Sequence, residues 1–259
     1  MAAIQVAVLC LLLAAQLQLV APRAVRLRTR AHGRIIGGSE ASIADFPWML
    51  ALKYAGYQQC GASIIGTEWA LTAAHCVSSY RAPYQALYRV RAGSSVRSSG
   101  GVMLDVAEVY VHEQHDSISG DYDIAVMRVN GSFPLGPNVA IVNLPEDGYD
   151  PPAGVAVTVT GWGQTETEYQ PSILRKVDIV VRDRSACDFP TTGREVTPRM
   201  LCAGESGESV CYGDSGGPLV SGSTQLGIAS WMSGYCLHGG AVYANVGNLR
   251  SWLTGVTGI

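Results

Sequence analysis

The stretch CYGDSGGP, Cys211 to Pro218, sets a serine among glycines directly after an aspartate. Neither a helix nor a core strand favours that composition, which makes Ser215 a candidate nucleophile. A lone serine beside glycine is ordinarily a turn, so its partners decide the matter. A serine hydroxyl is a weak nucleophile near neutral pH and needs a base to take its proton. Gly213 to Gly217 literally fits G-x-S-x-G, the turn that carries the nucleophile of many esterases. Those enzymes place Asp or Glu and then His after the serine. Downstream of Ser215 there is no Asp or Glu and a single histidine, His238. The esterase reading fails on chain order, and the base and its carboxylate must lie upstream. LTAAHC offers His75 beside Cys76, and DYDIAV offers Asp121 and Asp123.

The order His, Asp, Ser is accompanied by further motifs. Ile35-Ile36-Gly37-Gly38 follows Arg34, and then come LTAAHC, DIAV, Gly161-Trp162-Gly163, CYGDSGGP and Ser230-Trp231. Across residues 35–259 the chain resembles the chymotrypsin-like (trypsin-fold) serine endopeptidases. The resemblance implies roles for the residues that match. His75 is the general base and later the acid. Asp123, which directly precedes Ile-Ala-Val, is the buried carboxylate that fixes the imidazole tautomer, and Ser215 is the nucleophile. Asp121 reads as a solvated loop residue. The backbone N–H groups of Gly213 and Ser215 would form the oxyanion hole, where one donor contributes roughly 2.7–4 kcal/mol to the transition state. The implied fold is all-β, with two antiparallel six-stranded β-barrels, a short C-terminal helix and the catalytic cleft between the barrels. The alternative is a noncatalytic binding protein of the same fold, but such proteins usually lose a triad residue and none is lost here.

The same resemblance locates the substrate pocket. Ser209, six residues before Ser215, stands at its floor, where trypsin-like members hold an aspartate for Arg or Lys. A neutral floor would leave a basic side chain desolvated without a partner. Glu208 is adjacent but reads as a solvated loop charge. Ser230 and Trp231 should pair with substrate backbone. Met232 and Ala241 replace the glycines of deep pockets and narrow this one, although methionine is flexible. Cleavage after apolar residues is expected, in the manner of chymotrypsin or elastase.

A control on reactivity is also implied. In the family, cutting before an Ile-Ile-Gly-Gly-like start frees an α-amine that pairs with the aspartate preceding the serine. Here those groups are Ile35 and Asp214, and the required cut follows Arg34. An apolar pocket cannot make that cut efficiently, so a zymogen activated by a separate trypsin-like protease is expected.

The remaining sequence fits this frame. Residues 1–21 read as a secretory signal whose end the sequence leaves open, and Arg-rich residues 22–34 as an exposed activation propeptide. The peptidase domain spans 35–259, with the first barrel over about 35–135 and the second over about 136–259. Removing residues 1–34 takes five of the 18 basic residues and none of the 21 acidic ones. That leaves 13 against 21, a net charge of about −8, which argues against nucleic acid and anionic membrane as partners. A monomer is expected, acting on protein or peptide substrates, with protein protease inhibitors as further partners. Cys10 lies in the signal, leaving Cys60, Cys76, Cys187, Cys202, Cys211 and Cys236. An even number in a secreted chain points to three disulfides, for which spacing alone allows 15 connectivities. The resemblance implies Cys60–Cys76, Cys187–Cys202 and Cys211–Cys236.

Short Val/Ile-rich runs read as strands: Ile64-Ile65, 88–91, 155–160, 177–181, 227–231 and 241–244. The Pro/Gly/Asn-rich segment 130–154 reads as the connection between the two halves. Leu249, Trp252, Leu253 and Val256 share one helical face after Asn248, the expected N-cap. Asn130-Gly131-Ser132 is a glycosylation sequon. His112 and His115 lack a third metal ligand, and no metal or cofactor is expected.

Overall fold

The computed structural model describes residues 38–78, 84–189, 192–234, 236 and 239–259. Arg34, Ile35, the signal and the propeptide lie outside the described residues, as does His238.

Strands β2 (Met49–Tyr54) and β3 (Tyr57–Ile64) form a hairpin across Ala55 and Gly56. Both turn residues have positive φ, 49° and 89°, the twist that suits a two-residue hairpin. With β4 (Trp69–Thr72), β5 (Tyr88–Ala92), β6 (Val102–Val111) and β7 (Ala125–Val129) they close a six-stranded antiparallel barrel in the order β2-β3-β4-β7-β6-β5. A second ring is built from β8 (Ala156–Gly161), β9 (Arg175–Arg182), β10 (Met200–Ala203), β11 (Pro218–Ser221), β12 (Thr224–Met232) and β13 (Ala241–Asn245). It closes in the order β8-β9-β10-β13-β12-β11, and β1 (Ser39–Glu40) adds an outer pairing to β9. Closure leaves neither ring a free edge for unwanted pairing. Strand β9 alternates buried and exposed positions along RKVDIVVR, as a sheet with one wet face should.

Each barrel has an apolar interior. Leu50, Leu52, Ile64, Leu71, Val90 and Val126 fill the first, and Val157, Val159, Val177, Ile179, Leu201 and Leu219 the second. The barrels meet where backbones approach closely: a Cβ on Gly61 would lie 2.9 Å from Gly217 Cα. In the second barrel Cys187–Cys202 ties the 3₁₀ turn Arg184–Cys187 to β10 and Cys211–Cys236 cross-links two loops, while Cys60–Cys76 ties β3 to the turn after β4. In the chain-entropy account each contributes about 2–4 kcal/mol by restricting the unfolded chain.

Helix α1 (Arg250–Thr257) closes the chain, and Leu253 buries its apolar face against the cluster that includes Val246 and Leu249. Its N-terminus differs from expectation. Leu249 occupies the cap position and makes no side-chain cap bond, while the Asn248 N–H is held by Asn245 Oδ1 at 3.3 Å. The capping carboxylate comes instead from Asp147, which accepts from Ser251 N–H at 3.0 Å and from Ser251 Oγ at 2.8 Å. An acid at this end suits the helix dipole, and one from a distant loop also fixes where the helix sits. No helix among the described residues is long and apolar enough to cross a membrane.

Candidate active site

His75 sits in a single 3₁₀ turn, Ala74–Cys76, directly after β4. The Cys60–Cys76 bridge fixes that turn against β3. Asp123 lies just before β7, preceded by Tyr122 in the left-handed region at φ 52°. This bend turns the Asp123 side chain inward, where it is 3% exposed. Its Oδ1 accepts the His75 backbone N–H at 2.8 Å, and its Oδ2 meets His75 Nδ1 at 2.7 Å. Ser230 Oγ, from β12, donates to the same Oδ2.

The charges of this pair follow from those contacts. Burial alone would push the Asp123 carboxyl up, but the hydrogen bond and charge of His75, with Ser230 and the His75 N–H, hold it below its ordinary value. Burial likewise opposes protonation of His75, and Arg194 opposes it further. Asp123 outweighs both and leaves the imidazole pKa raised. The pair is thus an imidazole held by a carboxylate through Nδ1.

The loop 211–217 approaches from the second barrel. Gly61 N–H donates to the Ser215 carbonyl at 2.8 Å, and Gly216 N–H donates to Ala229 O at 2.7 Å. A Cβ on Gly216 would fall 2.2 Å from Thr72 Oγ1 and 3.2 Å from Ala73 N, so only glycine admits the loop this close to the His75 turn. Ser215 is partly exposed. Among the described residues no hydrogen bond joins its Oγ to His75, whose Nε2 instead contacts Cys76 Sγ at 3.8 Å. Nor is the N–H of Gly213 or of Ser215 bonded to any described residue. Gly213 adopts φ 98°.

Asp214 is fully buried, and its carboxylate accepts from Gly163 N–H at 2.8 Å and Cys211 N–H at 3.0 Å. Those are its hydrogen bonds among the described residues. A Cβ on Gly163 would sit 2.4 Å from this carboxyl, and one on Gly161 2.1 Å from Oδ1. The Gly-Trp-Gly sequence is therefore the wall that makes room for Asp214. Burial raises the carboxyl to about 6 against the pull of its two N–H donors.

The expected pocket residues cluster in the second barrel. Ser209 is 1% exposed and its Oγ has no hydrogen-bond partner among the described residues. Ala241, fully buried, pairs in register with half-buried Met232 on one side and Ala203 on the other. Trp231 is 7% exposed. Tyr243, on the same strand as Ala241, buries a phenol that likewise lacks a partner among the described residues. Burial and the nearby Asp214 charge push its pKa up.

One expectation is corrected. Asp121 is not a solvated loop residue: its side chain is 13% exposed and ion-paired with Arg199, and Thr197 Oγ1 donates to it at 3.2 Å. Burial raises this carboxyl, but the Arg199 pairing and its other hydrogen bonds leave it below its ordinary value. It anchors the segment before Asp123 to the second barrel.

Two residues near the site were not among the expected site residues: His115, weighed in the sequence only as a metal ligand beside His112, and Arg194. His115 Nε2 stands 3.6 Å from Asp123 Oδ1. Arg194 lies over the Trp231 ring, 5.2 Å from the centroid. Nothing in the local sequence marks it, because its contacts cross 76 residues.

Comparison with known proteins agrees with this architecture. The family model described as Trypsin matches residues 35–253. Trypsin delta of Drosophila melanogaster is 38% identical over 227 residues, covering 85% of this chain and 87% of that protein. Hypodermin-B of Hypoderma lineatum is 38% identical over 228 residues, covering 86% and 87%. A solved structure, the scabies mite inactivated protease paralogue S-D1, superposes with a TM-score of 0.80 at 26% identity, covering 86% of this chain and 97% of that one. With a family model spanning both barrels and relatives of that identity along most of its length, the chain belongs to the Trypsin family of chymotrypsin-like serine proteases.

Proposed function

We propose that the protein is a secreted serine endopeptidase, made as a zymogen, that hydrolyses peptide bonds through an acyl-enzyme and prefers an apolar P1 side chain. The observation that carries the reading is the His75–Asp123 pair, bonded twice, on a turn that the Ser215 loop approaches at Gly216. Ser215 Oγ attacks the substrate carbonyl carbon while its proton passes to His75 Nε2. The proton then goes to the leaving amine, and water repeats the sequence to release the acid. The N–H groups of Gly213 and Ser215, unbonded among the described residues, are the donors for the oxyanion.

The buried, neutral Ser209 and the Met232–Ala241 pair favour an apolar P1 residue. A basic side chain there would lose its water without gaining a counter-charge. The buried Asp214 suits a cation arriving from elsewhere, and the α-amine freed by a cut after Arg34 is the group proposed. An apolar pocket cannot make that cut efficiently, so a separate trypsin-like protease is the proposed activator. Secretion accords with three disulfides, which persist in oxidising compartments.

The alternative, a noncatalytic protein of the same fold, is favoured by two observations. The solved neighbour is an inactivated paralogue, and Ser215 Oγ is not bonded to His75 among the described residues. A P1 scan on peptide libraries separates the readings once the chain has been cut with immobilised trypsin. Selective cleavage after Leu or Met is expected. Comparable kcat/KM on Arg and Leu peptides would overturn the pocket assignment, and no cleavage of any peptide would favour the alternative.

A further inference from the structure

A cavity of about 250 Å³ adjoins the candidate triad, lined among others by His75, His115, Gly120, Arg194, Ser230 and Trp231. Ser209, Met232 and Ala241 do not line it. Side chains of an extended peptide point alternately to opposite sides. On the endopeptidase reading, a substrate laid along Ser230–Met232 with its P1 side chain in the Ser209 pocket turns the preceding side chain, P2, towards this cavity.

The electrostatics of the cavity centre on Arg194. Its Nε donates to Ile118 O at 2.9 Å and its Nη2 to Ser117 O at 3.4 Å. Its Cζ lies over the Trp231 ring, 5.2 Å from the centroid, a cation–π contact that helps hold the guanidinium. Nη1 is left without a hydrogen bond among the described residues, facing Gly120, where a Cβ would be 3.5 Å away. No carboxylate among the described residues pairs with this cation, and those of the neighbouring loop are engaged elsewhere. Asp116 accepts from Ile118 N–H and Ser119 Oγ, Asp121 holds Arg199, and Asp123 holds His75 and Ser230. Gly120 keeps the space open: a Cβ there would lie 2.8 Å from Trp231 Cδ1, and its φ of 76° is one that side chains rarely adopt. The result is an oriented, unpaired cation beside a cavity next to the reacting groups.

We propose that this cavity accepts an acidic P2 side chain and that Arg194 is the residue that selects it. The proposal rests on the endopeptidase reading. A carboxylate fits because guanidinium presents two parallel N–H donors to it, and the amide of glutamine matches its shape without its charge.

The test uses the full chain cut with immobilised trypsin, which is then removed. Two fluorogenic peptides carry Leu at P1 and differ only in Glu or Gln at P2. For the native protein, kcat/KM should be about fivefold higher with Glu, the size of a charge-assisted pair at a partly exposed site. The ratio should shrink as salt is raised. It should fall to about one in Arg194→Gln and below one in Arg194→Glu. Because each ratio is internal to one protein, a variant that folds poorly still reports it. Equal rates for the native protein, or a preference that survives in Arg194→Gln, would overturn the proposal and leave the endopeptidase reading standing. If neither peptide is cut and an organophosphonate does not label Ser215, the endopeptidase reading falls and the proposal with it.

Discussion

Asp123 and Asp214 are both closed off from water, 3% and 0% exposed, yet their carboxyl groups shift in opposite directions. Asp123 faces an imidazole, a hydroxyl and a backbone N–H, and its pKa is lowered. Asp214 meets two backbone N–H groups, and its pKa rises to about 6. Burial sets the same kind of cost in both places, and the partners decide its sign. One carboxylate already has its cation-forming partner, whereas among the described residues the other has two N–H donors and no cation, and the α-amine is the partner proposed for it.

Breaking the first member of the comparison should have the largest effect. In the chain cut after Arg34, Asp123→Asn removes the charge that orients and stabilises the His75 imidazolium. A loss of about 10⁴-fold in kcat is expected, the size associated with this substitution in the chymotrypsin-type triad. Retention of activity within tenfold would mean that another group orients His75.

Breaking the second should cost less. Asp214→Asn in the cut chain leaves the arriving amine unpaired, so the Gly213–Ser215 backbone is not drawn into place. A loss of about 10²–10³-fold is expected, equivalent to losing one oxyanion donor. In the uncut chain the same substitution acts on stability. The folded pKa of Asp214 lies above its ordinary value of 3.8, so its contribution is present in acid and lost as pH rises through about 6. Thermal melts of the uncut protein should therefore fall across that window, and Asp214→Asn should flatten the fall. Parallel curves would show that the carboxylate has a counter-charge before cleavage.

The smallest effect sharpens the Asp123 side. His75 has a raised pKa, so kcat/KM should fall on acidification with a limb above the ordinary histidine value of 6.5. Replacing His115 by Phe removes a polar neighbour of Asp123 and leaves more of its charge to His75. The limb should move further up, by less than about one unit. An unmoved limb would assign His115 to packing alone.

What could be read from the sequence divides along physical lines. The His75–Asp123 contact and the two-barrel fold were implied by the family resemblance, which short motifs carry because a glycine that must admit Asp214 or the Ser215 loop leaves a local signature. Strands with one wet face, such as β9, announced themselves by alternation. Strand β2, MLALKY, is buried on both faces over nearly its whole length, loses the period of two, and was missed. Contacts that span the chain left no mark at all. Asp121 finds Arg199 across 78 residues, Ser251 finds Asp147 across 104, and Arg194 reaches Ile118 across 76. In each case a charged residue that looks solvated in sequence is engaged by a distant segment once the barrels form.

The central claim is that Ser215 becomes reactive when an amine reaches Asp214. The most direct measurement is the rate at which an organophosphonate labels Ser215 before and after cleavage at Arg34, in the native protein and in Asp214→Asn. The account predicts slow labelling of the uncut protein and fast, stoichiometric labelling of Ser215 once the N-terminus Ile35-Ile36-Gly37-Gly38 appears. It also predicts that Asp214→Asn stays slow after the same cut. Equal labelling rates before and after cleavage, or a cut Asp214→Asn that labels like the native protein, would contradict it.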